Sequence, residues 1–260
     1  MSQNYSKYLR LEGLLAQQQP LGDPPEHDEM LFIIIHQTYE LWFKQVLHEF
    51  GKISRDLLSG DLYGAIATFK RVRMIFKTLV GQLDILETMT PMSFQAFRER
   101  LETSSGFQST QFREFEFALG FKRPEMLRFV AGNPSAEERL LERLRSPSLY
   151  DDFYCFLEKR GVKIPEQIRN KPIEAATIPH EAIQEQLIAI YTDQPDVAIL
   201  LELMVDLDEG IQEWRYRHVK MVERTIGNKK GTGGSSGVDF LKKSLFQPAF
   251  PDLWALRRHF

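Results

Sequence analysis

One cysteine, Cys155, is all that this chain of 260 residues contains. That excludes an intramolecular disulfide and any zinc or iron–sulfur site built on several thiolates, and it fits a reducing compartment, so a cytoplasmic location is expected. Long apolar runs are also missing. The longest, Met30 to Ile35, falls far short of the ~20 residues that span a bilayer, and Met1 to Gly13 lacks the apolar centre of a secretory signal. Nor is there an excess of positive charge. The formal net charge is -3, which argues against a protein whose task is to hold a nucleic-acid backbone. Alternating strand patterns and internal repeats are absent as well, which leaves an all-α fold as the expectation.

What the chain does have is helical periodicity with readable punctuation. Apolar residues recur at Leu62, Ile66, Phe69, Val72, Phe76, Leu79, Leu83 and Leu86, and again at Val197, Leu200, Met204, Leu207, Ile211 and Trp214, continuing to Met221. Each series keeps one stripe facing inward. Both predict rods of ~40 Å at 1.5 Å per residue. An earlier helix, roughly Glu29 to Phe50, is apolar almost all round and is expected to be central. Pro124 marks a helix start, Ser135 with Glu138 and Ser148 with Asp151 read as capping boxes, and Gly120, Gly161 and Gly227 read as stops. The connection from Arg160 to Thr177 carries Pro165 and Pro172 but is too short to mark a boundary. One domain over residues 1–260, with residues 1–25 as an N-terminal arm, is the expected organisation.

Of the six histidines, two lie on apolar helical faces. His218 falls on the second seam, one turn after Trp214, and His36 shares a face with Phe32, Tyr39, Glu40 and Phe43. Each is either a core histidine bonded to a neighbour or part of a pocket wall. His27, with Asp28 and Glu29, stands where a helix begins and suits the cap and the positive helix end. The same group, with one more histidine, meets the donor requirement of a non-haem iron oxygenase.

Two polar loops accompany these helices. GTGGSSG, Gly231 to Gly237, lets backbone N–H groups approach a ligand, but Lys229 and Lys230 precede it, where a phosphate-binding loop needs a lysine after its last glycine. The other runs from Thr103 to Ser109. Before it, Pro91 opens a short helix on which Phe94 and Arg98 share a face, setting an apolar surface beside a guanidinium able to grip a carboxylate. A haem site needs only one axial side chain, so no spacing rule discloses it. The residues by themselves therefore leave a haem protein, a non-haem iron oxygenase and a structural helical assembly all open.

Six segments, YSKYLRLEGLL from Tyr5, HDEMLFIIIHQTYELWFKQ from His27, LETMTPMSFQAFRERL from Leu86, SSGFQS from Ser104, WRYRHVKMVERTIG from Trp214 and GTGGSSGVDFL from Gly231, together resemble the tryptophan 2,3-dioxygenase family. The resemblance runs through nearly the whole chain in order. It implies an all-helical protein that binds haem b and uses ferrous iron and dioxygen to cleave the indole pyrrole ring of L-tryptophan, giving N-formylkynurenine, the first step of the kynurenine pathway. By the same resemblance His218 is the axial ligand of the haem iron, and His36 hydrogen-bonds the indole N–H. Arg98 pairs with the substrate carboxylate, and Thr232 contacts the amino-acid end. Phe32 and Phe94 line the substrate side, and Ser105 stands beside the haem. A homotetramer, a dimer of dimers, is implied, with Tyr5, Tyr8 and Leu9 of the arm reaching a neighbouring subunit's site. Two positions depart from some bacterial members: Phe94 stands where those have Tyr, and Leu83 where they have Trp. The first removes a hydroxyl contact.

Overall fold

A computed structural model describes residues 3–229, 231 and 237–260, and among the described residues there is no β-strand. Two five-residue helices open the chain, α1 (Tyr5–Leu9) and α2 (Leu11–Leu15), and neither buries a residue. Asn4 caps α1 by accepting from the Lys7 N–H at 2.9 Å. The arm is tied to the body through Gln37 of the next helix. Its side chain takes a bond from Gln18 at 2.6 Å and donates to the Gln17 carbonyl at 3.0 Å.

That next helix, α3 (His27–Ser59), is 33 residues long, or ~50 Å at the standard rise. It outruns the expected Glu29 to Phe50 because its buried stripe, Ile35, Tyr39, Phe43, Val46 and Phe50, continues through Ile53 and Leu57. Gly51 costs such a helix only ~1 kcal/mol relative to alanine, less than burying one further leucine returns. Gly60, at φ 84°, ends it. The helix is central, packed against the helices at Leu62–Leu86, Thr110–Ala118 and Leu149–Lys159, but its apolar outer side is not covered: Met30, Ile34 and Leu41 are exposed. His27 is not the cap either. Glu26 occupies that position without a side-chain bond. The first-turn acids still complement the positive helix end, and the Glu29 carboxylate reaches back to the N–H groups of Leu21 (2.7 Å) and Gly22 (3.2 Å).

Helix α4 (Leu62–Leu86) is capped by Asp61, which accepts from Gly64 N–H at 2.9 Å. Its seam is buried as the spacing predicts, and α4 packs against both α3 and α11. Shorter elements follow. They are α5 (Pro91–Arg98), 3-10 turns at Glu99–Leu101 and Gly106–Gln108, α6 (Thr110–Ala118), a 3-10 turn at Pro124–Phe129, α7 (Pro134–Leu144), α8 (Leu149–Lys159), α9 (Glu166–Arg169) and α10 (Glu181–Asp193). Ser148 and Asp151 form the expected capping box. Ser135 does not: Asn133 caps α7, accepting from Ala136 N–H at 3.2 Å, with Pro134 at the first helical position. Proline there fixes φ and lacks the N–H that would go unpaired, so the helix starts two residues earlier than a cap at Ser135 allows. Gly120 and Gly161 end α6 and α8 at positive φ. At Gly120 a Cβ would also lie 2.6 Å from Thr177 Oγ1.

The second rod, α11 (Pro195–Ile226), has 32 residues. Beyond it lie α12 (Val238–Lys242), α13 (Pro251–Ala255) and a terminal 3-10 turn, Leu256–His259. Two buried carboxylates pin this tail. Asp208 of α11 accepts from Phe250 N–H (3.1 Å) and Trp254 Nε1 (2.9 Å). Asp252 accepts from Tyr150, Tyr154, Gln184 and the backbone of His180. One contiguous core joins α3, α4, α8, α10, α11 and the tail, and a smaller cluster lies beneath α7. Among the described residues no helix is long and apolar enough to cross a membrane.

Candidate functional site

The inner faces of α3 and α11 do not close on each other over their whole length. Between them, with α5, α6 and α12 around the edge, is a cavity of about 530 Å³, within the roughly 300–1,000 Å³ typical of cofactor and ligand pockets. His36 and His218 both line it. The helical repeat presents them: His36 stands one turn after Phe32 on α3, and His218 one turn after Trp214 on α11.

The His36 Nδ1 lies 2.7 Å from the Phe32 carbonyl oxygen. A carbonyl can only accept, so Nδ1 carries the proton and Nε2 keeps a free lone pair. Burial within the protein lowers the pKa of His36, against the pull of the Phe32 carbonyl and of Glu40. The neutral form is thereby favoured. The pKa of His218 is also pushed down, to about 4, by burial first and then by the charge His36 would carry. Its ring stacks on Trp214 with centroids 5.3 Å apart and planes 7° from parallel. A neutral imidazole in an apolar wall is the form that binds iron.

Aromatic rings build the wall beside His36. Phe32 lies 4.1 Å from the His36 ring and 5.8 Å from Phe94, and Phe94 meets Phe97 edge-on at 5.4 Å. Arg98, one turn after Phe94, lines the same cavity, and so do Ser105 and Leu83. Ser105 also caps the turn at Gly106–Gln108, with Gln108 Oε1 accepting from its N–H at 3.3 Å. Thr232 lies outside the described residues, while Gly231 and Gly237 on either side line the cavity. Tyr5, Tyr8 and Leu9 do not reach this cavity and are exposed. No three His, Cys, Asp or Glu side chains converge as metal donors among the described residues, so His27, Asp28 and Glu29 do not assemble with another histidine.

The same cavity is also lined by residues that the sequence did not single out. Arg113, Glu116, Arg123 and Arg215 line it, and Glu116 is bonded to all three arginines, at 2.5, 2.7 and 3.4 Å. Glu116 and Arg215 are 99 positions apart, too far for any helical spacing to connect them. The only local signal was Arg215 beside Trp214 on the seam, a charged residue where periodicity calls for burial.

A helical protein with a neutral imidazole facing a largely apolar cavity of cofactor size, a second histidine in the same cavity and a guanidinium beside aromatic rings has a site suited to a cofactor and a small acidic ligand. Comparison with known proteins narrows the class. The family model described as tryptophan 2,3-dioxygenase matches residues 1–150 and 166–260, and the chain belongs to that family. It is 51% identical over 253 residues to the tryptophan 2,3-dioxygenase of Herpetosiphon aurantiacus, covering 97% of this chain and 96% of that one. Identity is 50% to the protein of that name from an Anaeromyxobacter species, with 97% and 94% covered, and 41% to that of Caulobacter vibrioides, with 97% of both covered.

Proposed function

We propose that this chain is a haem-dependent dioxygenase that opens the indole pyrrole ring of L-tryptophan with dioxygen to give N-formylkynurenine. The observation that carries this reading is the single cavity shared by His36, His218 and Arg98, in a chain of this family. Haem b fits the residues present. The cavity has the volume of a cofactor pocket, and His218 would hold the haem iron through its neutral imidazole. Bound there in its ferrous form, haem supplies the activation of dioxygen.

The protein's share is binding and orientation. The Nε2 lone pair of His36 accepts the indole N–H and fixes the plane of the ring. Phe32 and Phe94 flank the indole and exclude water. Arg98 pairs with the carboxylate, Thr232 contacts the amino-acid end, and Ser105 borders the haem side. Phenylalanine at position 94 forgoes the hydroxyl of members with tyrosine there, so carboxylate recognition rests more heavily on Arg98. We read residues 1–260 as one domain of a cytoplasmic homotetramer. Support for the assembly comes from the arm: Tyr5, Tyr8, Leu15 and Leu21 expose large apolar surfaces that call for cover, and residues 1–25 are proposed to bring Tyr5, Tyr8 and Leu9 to a neighbour's cavity.

The test is turnover. Haem-loaded, reduced protein mixed with L-tryptophan in air should form N-formylkynurenine, followed by its ultraviolet absorbance. A haem carrier or sensor would show the Soret band and no product, which would end the enzymatic reading. Replacing Arg98 with methionine should weaken L-tryptophan binding by roughly 2 kcal/mol, while tryptamine, which has no carboxylate, is unaffected. An unchanged preference for L-tryptophan over tryptamine in R98M would remove Arg98 from its role.

A further inference from the structure

The Glu116 cluster carries more positive charge than its surroundings neutralise. Side chains of Arg113 and Arg215 are each only 4% exposed, Glu116 is 2% exposed and Arg123 is 29% exposed. Three guanidiniums meet one carboxylate, an excess of two positive charges. Asp208 also acts on Arg215, but its oxygens are already taken by Phe250, Trp254 and Gln212. Arg128, Lys243 and Glu125 line the same cavity and add one further positive charge on balance. Burying cations in such excess is costly, and arginine does not shed its proton to escape the cost.

Part of the cost is offset within the protein. Arg215 donates to the carbonyls of Ser244 (3.2 Å) and Gln247 (3.1 Å) and lies over the Phe121 ring at 4.5 Å. Arg113 lies over Phe112 at 5.2 Å and Phe107 at 5.6 Å, within cation–π range. Although burial opposes ionisation of Glu116, the charges of Arg113, Arg123 and Arg215 keep its pKa below the usual carboxylate range. Even so, the Nε groups of Arg113, Arg123 and Arg215 are all buried with no hydrogen-bond partner. Buried N–H donors in native proteins are normally paired, and three orphans on one cavity wall point to a missing acceptor. Arg98, proposed to hold the substrate carboxylate, belongs to a different element, α5, on the side of Phe32 and Phe94.

We propose that Arg113, Arg123 and Arg215, held in place by Glu116, form the binding site for the carboxylates of the cofactor, an amphipathic tetrapyrrole dicarboxylate. This rests on the haem reading above and deepens it. The cavity is divided by chemistry: the apolar middle takes the macrocycle, the arginine end takes its acid groups, and Arg98 is left to the amino acid. Glu116 spaces the guanidiniums and spends part of their charge, which keeps the cofactor-free chain folded.

The test uses iron-free protoporphyrin IX, so that His218 contributes no metal bond, with the full-length chain stripped of cofactor and binding followed by porphyrin fluorescence. The diacid should bind at least about tenfold more tightly than its dimethyl ester, and R123Q and R113Q should each narrow that difference severalfold, mainly through weaker binding of the diacid. Equal binding of acid and ester by the wild-type chain would overturn the proposal and mark the cluster as a structural knot. That comparison needs no variant to fold. If the ester and the acid bind alike while haemin still gives a Soret band, only this inference falls. If neither porphyrin nor haemin binds, the haem reading falls and takes this inference with it.

Discussion

His218→Ala should abolish the Soret band of the haem-supplied chain in its normal form and lower haem affinity by more than about 100-fold, since even the outer partners of a metal ligand are worth 10- to 100-fold. Its side chain borders a cavity and is not locked in the core, so the variant should remain folded, within about 1 kcal/mol of the parent in urea unfolding. Added imidazole should restore part of the spectrum by filling the space left by the ring. His36→Ala provides the contrast. The His36 ring serves the opposite partner in the proposed arrangement, so the Soret band should persist while turnover drops. Spectra that change in the His36 variant and stay the same in the His218 variant would reverse the two assignments.

The second large effect is on stability and lies away from the cavity. Asp252 is fully buried and accepts four hydrogen bonds, from Tyr150 Oη (2.9 Å), Tyr154 Oη (3.2 Å), Gln184 Nε2 (3.0 Å) and His180 N–H (2.6 Å). Burial, with the negative charge of Asp252 close by, holds the phenol pKa values of Tyr150 and Tyr154 above their usual value, so both remain donors. Asp252→Ala leaves these donors without an acceptor. Each buried, unsatisfied group costs about 1–3 kcal/mol, and the losses overlap because the donors share one network. A net loss of about 3–5 kcal/mol is expected, visible as a melting temperature lower by roughly 10 °C. Asp252→Asn keeps the shape but turns one acceptor into a donor facing donors, so it should cost about half as much. A melting temperature within about 2 °C of the parent in D252A would show that solvent reaches these groups and that the knot is not what secures the tail.

The seams at Leu62 to Leu86 and Val197 to Trp214 were readable because helical burial is periodic over a few residues, and both are buried as the spacing requires. Ser148 with Asp151 was readable for the same reason, as a cap closes within one turn. His36 and His218 each showed only an apolar face, and that alone could not separate a core histidine from a pocket wall. It took the long matched segments to single them out, and the tertiary structure to bring them to one cavity.

By itself, the amino-acid sequence determined that this chain is helical, where several of its helices begin or end, and to which family it belongs. These properties depend on residues a few positions apart or on the order of motifs along the chain. Only the folded structure decided that one side of α3 would stay exposed at Met30, Ile34 and Leu41, that Asp252 would clasp the tail, and that Glu116 and Arg215, 99 positions apart, would meet. Such contacts depend on which helices pack together, and a charged residue in the sequence looks the same whether it ends in solvent or against a buried partner.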